Sequence, residues 1–161
     1  MFCGYWRDPQ ATEAARWRGW LTTGDVAERD ADGCYWIRGR LKEMYISGGE
    51  NVYPAEVEEA LAAHPAVAEA AVIAVADERW GETGLAFVVA RDGQPVADDA
   101  LASFCRARLA GYKVPRRYRL VAELPRLTSG KVDKLALARG LAREAGSAGV
   151  GERAEPGPAT G

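Results

Sequence analysis

The stretch Leu124 to Lys134, LPRLTSGKVDK, presents Lys131 directly behind a small tripeptide, Thr128-Ser129-Gly130. A Gly-Lys pair ends a phosphate-binding loop only when a second glycine stands upstream and Ser or Thr follows the lysine. Pro125 and Val132 occupy those two places. Proline lacks a backbone N–H and holds φ fixed, so it cannot help build a cradle of amide donors. Taken alone, Lys131 therefore reads as a solvated surface lysine.

Little else has the chemistry of a self-contained site. His64 is the sole histidine, and no Cys-x-x-Cys pair occurs, so neither a zinc site nor another metal site is expected. In AAHPAV it reads as the end of a helix, favoured by the helix dipole and by Pro65. Cys3, Cys34 and Cys105 are odd in number and scattered, which fits reduced thiols in a cytoplasmic protein rather than a disulfide framework. Cys105 lies in an apolar helical pattern and reads as a small core residue. A formal net charge of -2 argues against nucleic acid as a partner. No apolar run has the length of a membrane-spanning helix, and the N-terminus lacks a signal-peptide pattern.

The elements that must position Lys131 follow from periodicity. WLTTGDVAERD and CYWIRGR read as two strands joined at Ala31-Asp32-Gly33, a hairpin signal. LKEMYI reads as a short strand ending in Ser47-Gly48-Gly49. A helix should start at Pro54, with Glu56, Glu58 and Glu59 at its positive end and Val57, Ala60 and Leu61 as its inner stripe. AVAEAAVIAVAD and GLAFVVARD read as apolar strands across the polar turn ERWGET, in a sheet covered on at least one face. A second helix should span about Asp98 to Ala110, with Asp98 as N-cap, Leu101, Phe104, Cys105 and Leu109 as its stripe and Gly111 as its stop. RRYRLVAEL reads as a strand and about Asp133 to Glu144 as a last helix. These predict an α+β domain over 41–144, with a sheet of about three core strands and about three packed helices. Residues 1–40 carry a dense aromatic payload without a core of their own, as does the edge of something larger. The Gly-, Ala- and Pro-rich tail, 145–161, is expected to be disordered.

Four stretches occur in one order: GWLTTGD, GRLKEMYISGGENVYPAEVEEAL, HPAVAEAAVIAVADERWGE and LPRLTSGKVDK. Together they resemble the C-terminal part of the AMP-forming acyl-CoA synthetases, a superfamily shared with luciferases and peptide-synthetase adenylation domains. GGENVYPAEVE is similar to the acyl-CoA ligase branch. The resemblance implies a C-terminal lid domain at 41–144 that closes over a large ATP-binding domain. Residues 1–40 would then be the large domain's tail end, preserved as a β-hairpin at the edge of a missing N-terminal domain. The reaction implied joins a carboxylic acid, ATP and CoA through an acyl-adenylate.

By the same resemblance, Asp25 accepts from the ribose hydroxyls of ATP and Arg40 contacts the nucleotide, roles that suit a two-oxygen acceptor and a forked cation. A turn aspartate and a surface strand arginine are the plain alternatives. Lys42 matches the hinge. Gly48 and Gly49 match the pantetheine channel, and equally fit a tight turn before the helix. Lys131 matches the lysine that bridges the attacking carboxylate and the α-phosphate, with the Ser-Gly lead-in expected to give its loop freedom to insert and withdraw. Trp80, Tyr112, Lys113 and Arg116 match positions that bind the CoA nucleotide; Val114 departs from a basic residue there, and Trp80 serves equally as a turn aromatic covering the core. Mg²⁺ is expected on the missing domain, since the family's phosphate loop, acyl pocket and metal-holding Glu have no counterpart here. Two readings stand: the catalytic lid of an acyl-CoA ligase, inactive alone, or a non-catalytic remnant that binds CoA, nucleotide or a partner. A truncated reading frame fits both.

Overall fold

The computed structural model describes residues 2–91 and 96–148. An N-terminal segment holds a short helix, α1 (Pro9–Ala14), and two small antiparallel ladders: β1 (Arg16–Trp17) with β2 (Trp20–Leu21), and β3 (Asp25–Arg29) with β4 (Tyr35–Arg40). Asp30 closes the second ladder's turn. Its carboxylate accepts from the Cys34 amide at 2.8 Å and from the Trp36 indole N–H at 2.7 Å. Those two donors hold its carboxyl below the usual carboxylate range. Tyr35, Trp36 and Ile37 are all exposed, so both faces of β4 are bare.

The remaining elements are β5 (Tyr45–Ser47), β6 (Glu50–Val52), α2 (Pro54–Ala62), β7 (Val67–Asp77), β8 (Gly81–Ala90), α3 (Asp98–Arg106), β9 (Arg117–Leu120) and α4 (Lys134–Ala148). They build one sheet in the order β6-β5-β8-β7, with β9 also paired to β8, in parallel register from Leu85↔Arg117 to Val88↔Leu120. The α+β class is as expected. The sheet has five strands rather than about three, because ISGGENV folds as a β5–β6 hairpin with Ile46 opposite Asn51. Gly48 and Gly49 are its two-residue turn, with φ of +60° and +90°. Positive φ at both positions is what a twisted hairpin turn of this length requires, and glycine meets it without strain.

Burial explains why β7 and β8 read as continuous apolar runs. Residues 83–88 of β8 are all buried, so the sheet, expected to be covered on at least one face, is covered on both. One face packs Val72, Ala86 and Val88 against Val57 and Leu61 of α2 and Leu101 and Cys105 of α3. The other packs Ala71, Ile73, Leu85 and Phe87 against Leu124 and Leu137 of α4. Burial pushes the Cys105 thiol up, in keeping with a core residue. His64 stands after α2, as expected, and its Nδ1 accepts from the Ala66 amide at 3.2 Å.

Several boundaries differ from the sequence reading. Asp98 is not the N-cap of α3: that position is Ala97, without a side-chain bond, and Asp98 and Asp99 form the acidic first turn. The helix ends at Arg106, not Ala110, and Phe104 is only half-buried. Leu41 to Glu43 are a turn, so the strand read from LKEMYI begins at Tyr45. Helix α4 continues to Ala148, past the boundary at Glu144. The expected disordered tail beyond residue 148 lies outside the described residues.

Candidate functional site

Asp25 and Arg40 face one another at the open end of the β3–β4 ladder. Arg40 Nε lies 2.9 Å from Asp25 Oδ1, and Arg40 Nη1 donates to the Thr23 carbonyl at 2.9 Å. The hairpin therefore brings together two residues picked from separate motifs. The pairing leaves Asp25 Oδ2 to accept from another donor. Next along the chain, Lys42 is exposed in the turn that joins the ladder to the sheet domain.

On the other side of that turn lies an ion-paired trio. Lys134 contacts both Glu43 and Glu58 Oε1, the latter at 2.9 Å. Burial alone would lower the Lys134 ammonium, yet the two carboxylates outweigh it and raise the group above its usual range. Glu58 also accepts from the Val72 amide at 2.7 Å, so the trio connects the 41–43 turn, α2, β7 and α4. None of these three residues figured among the expected site.

The Gly48–Gly49 turn sits under Trp80. The Gly48 amide donates to the Trp80 carbonyl at 2.9 Å, and a Cβ at Gly48 would lie 2.5 Å from the indole. At Gly49 the same construction meets nothing within 4 Å. Asp77 fixes the approach by accepting from both the Arg79 and Trp80 amides at 3.0 Å. Arg116 stacks over the Trp80 ring at 4.5 Å. Trp80, Arg116 and Gly48 thus form one cluster, beside a cleft of about 410 Å³ that Arg106 and Arg116 also line. Tyr112 and Lys113 are not brought into that cluster: Tyr112 packs against the core, and Lys113 lines a separate cleft where its ammonium contacts both oxygens of Glu56 at 2.7 and 2.8 Å. Val114 is buried in the core and brings an apolar wall, not a charge, to the cleft lined by Arg106 and Arg116.

Lys131 tops a closed turn. Arg126 bridges to Val132, the Leu127 amide donates to the Lys131 carbonyl at 2.8 Å, and the Gly130 amide donates to the Leu127 carbonyl at 2.9 Å. The Asp133 amide then reaches the Pro125 carbonyl at 2.7 Å. Gly130 takes φ of +81° to make the turn. The Ser-Gly lead-in lies at the tip of this turn, whose base is closed by those backbone bonds. Among the described residues, no ion pair or side-chain hydrogen bond joins Lys131 to Asp25, Arg40 or the Trp80 cluster. Among the described residues its ammonium and that of Lys42 have no ion pair, whereas Lys113 and Lys134 are both held by carboxylates. No group of three or more His, Cys, Asp or Glu placed to hold a metal occurs among the described residues.

Residues 56–131 match the model of the AMP-binding enzyme C-terminal domain. The chain carries an AMP-binding enzyme C-terminal domain. It is 56% identical over 135 residues to an octahydroindenyl-propanoyl:CoA ligase of Rhodococcus jostii, covering 83% of this chain and 26% of that protein. It is 50% identical over 131 residues to the feruloyl-CoA synthase of an Amycolatopsis species, covering 81% and 27%. Among solved structures, o-succinylbenzoate CoA synthetase from Bacillus subtilis, in complex with its acyl-adenylate intermediate, superposes with a TM-score of 0.79. Identity is 41%, covering 84% of this chain and 28% of that one. The chain therefore spans about a quarter of the length of the relatives it matches. Among the described residues, no helix of this domain is long and apolar enough to cross a membrane.

Proposed function

We propose that this chain is the C-terminal portion of an ATP-dependent acyl-CoA ligase, with residues 41–144 as the lid and 1–40 as the edge of the large domain. A carboxylate oxygen of the acid attacks the α-phosphorus of ATP, and the bond to diphosphate breaks. CoA sulfur then attacks the acyl carbon, and the bond to AMP breaks. In the first step Lys131 supplies a cation that holds the carboxylate against the α-phosphate and stabilises the charge that develops there. Asp25 accepts from the ribose hydroxyls while Arg40 fixes its orientation. Lys42 is the pivot, Gly49 lines the pantetheine path, and Trp80 with Arg116 meets the CoA nucleotide. Mg²⁺ would be held by the large domain.

The observation that carries this reading is that, among the described residues, the ammonium of Lys131 has no ion pair on a turn closed by backbone bonds, whereas Lys113 and Lys134 are paired. A cation kept free of internal carboxylates is one that a ligand can claim. The test joins this chain to the large domain of the Rhodococcus jostii relative and measures the two half-reactions. Lys131→Ala should cut acid-dependent ATP–diphosphate exchange by about 100-fold or more. Thioester formation from supplied acyl-adenylate should stay within a few-fold of the parent. Exchange that survived the substitution would remove Lys131 from the reaction.

A further inference from the structure

The Lys131 turn is braced by a side chain that the reading so far leaves without a task. Arg126 Nη1 donates to the Gly130 carbonyl at 2.8 Å, and its Nη2 donates to Glu69 Oε2 at 2.6 Å. Gly130 is the residue immediately before Lys131, and Glu69 stands on β7. A single planar guanidinium therefore ties the base of the lysine to the sheet. Its fork fixes direction as well as distance, which an ammonium on a flexible stem does not.

The geometry points to Arg126 as a positioning residue for Lys131, setting the angle at which the lysine turn projects from the sheet through Gly130 and Glu69. The backbone bonds at Leu127, Gly130 and Asp133 fix the turn's own shape, since all of them close within residues 125–133. Among the described residues, Arg126 supplies the directional side-chain link from that turn to β7, beside the packing of Val132 on the core of that sheet face. Orientation matters here because a misplacement of about 1 Å costs on the order of 100-fold in rate at a reacting centre. The pair is also a poor stability device. Its side chains are 47% and 44% exposed, and ion pairs so open to solvent add little to folding. The expected effect of losing it is therefore local order and rate, not unfolding.

This role rests on the reading of Lys131 as the adenylation lysine, so the test has two arms. In the 161-residue chain itself, Arg126→Met should lower the backbone ¹⁵N heteronuclear NOE at Gly130 and Lys131 while leaving the melting temperature unchanged. In the enzyme completed with the Rhodococcus jostii large domain, the same variant should lower kcat for acid-dependent diphosphate exchange by about 10- to 100-fold. The KM for the acid and the thioester half-reaction should not move. The exchange Glu69→Arg with Arg126→Glu restores an ion pair but leaves no donor for the Gly130 carbonyl, and should stay slow. Unaltered loop order in Arg126→Met, or a charge exchange that recovers the rate, would overturn the positioning role. If Lys131→Ala retained exchange, the reaction assignment would fall for both residues, while the NOE still reports whether the brace exists.

Discussion

Gly48→Ala tests the packing that seats Trp80 in the proposed CoA-binding cluster. An added Cβ would stand 2.5 Å from Trp80 Cε3 and 2.7 Å from Cζ3, far inside van der Waals contact. At Gly49 it would meet nothing within 4 Å, although both residues have positive φ. Alanine in the left-handed region costs about 1–2 kcal/mol at either position. Overpacking adds about 1–3 kcal/mol, and only at Gly48. Gly48→Ala should therefore cost about 2–5 kcal/mol and Gly49→Ala about 1–2 kcal/mol. Trp80 is half-buried, so it can relieve the clash by swinging outward. That movement forfeits its stacking with Arg116, worth about 0.5–1 kcal/mol at an exposed site. Urea unfolding of the 161-residue chain, followed by far-UV circular dichroism, reads the difference. With m of about 2 kcal/mol/M, an extra 2 kcal/mol lowers the midpoint by about 1 M. In a Trp80→Ala background, the excess cost at Gly48 should vanish, a coupling of about 1 kcal/mol or more. Equal midpoints for the two alanine variants, or an excess that persists without Trp80, would refute the packing account.

Other outcomes follow from the ion pairs. Lys134 has its pKa raised in the folded state, so its contribution is complete below the unfolded value, about 10.4, and is lost as pH rises through the folded one. Thermal melts from pH 8 to 11 should fall on the alkaline side, and Lys134→Met should shallow that fall; an unchanged slope would remove Lys134 as a cause. Burial raises Tyr45 and Tyr118 in the same direction, so Tyr118→Phe should shallow it further. In the completed enzyme, Arg116→Ala should raise the KM for CoA by about 10-fold, the loss of one charge-assisted contact. Lys113→Ala should change it less, because Glu56 already holds that ammonium. The reverse order would move nucleotide recognition to Lys113.

The sequence made some of this legible and hid the rest for identifiable reasons. The runs in β7 and β8 announced buried strands because both sheet faces are covered, which keeps polar residues out of alternate positions. Pro54 and Glu56 marked α2 through local chemistry alone. Asp25 and Arg40 came from different motifs, and the hairpin register puts them opposite one another. By contrast β5 and β6 are three residues each, too short to show a period, so the hairpin between them read as a turn. Arg126 and Glu69 are 57 positions apart, as are Lys113 and Glu56, and Lys134 reaches 91 positions back to Glu43. No local pattern encodes such partners; they exist only once the sheet has formed.

The closed lysine turn bears on what must move. A turn that swung in and out by itself would detach Arg126 from Glu69 and pull Val132 off the core it packs against, a poor route for a step repeated every turnover. On the other side of the turn, Lys134 ties the start of α4 to Glu43, one residue beyond Lys42. Lys131 is thus fixed to the sheet domain, and the sheet domain is fixed to the chain up to Glu43. The segment without side-chain ties among the described residues is Leu41-Lys42, both exposed, between the Asp25–Arg40 pair and the Glu43 contact. A rotation confined to those residues would carry Lys131 as part of a rigid body and keep the ion pairs on either side, giving up the Glu43 and Met44 amide bonds to the Arg40 carbonyl, at 3.1 and 3.2 Å.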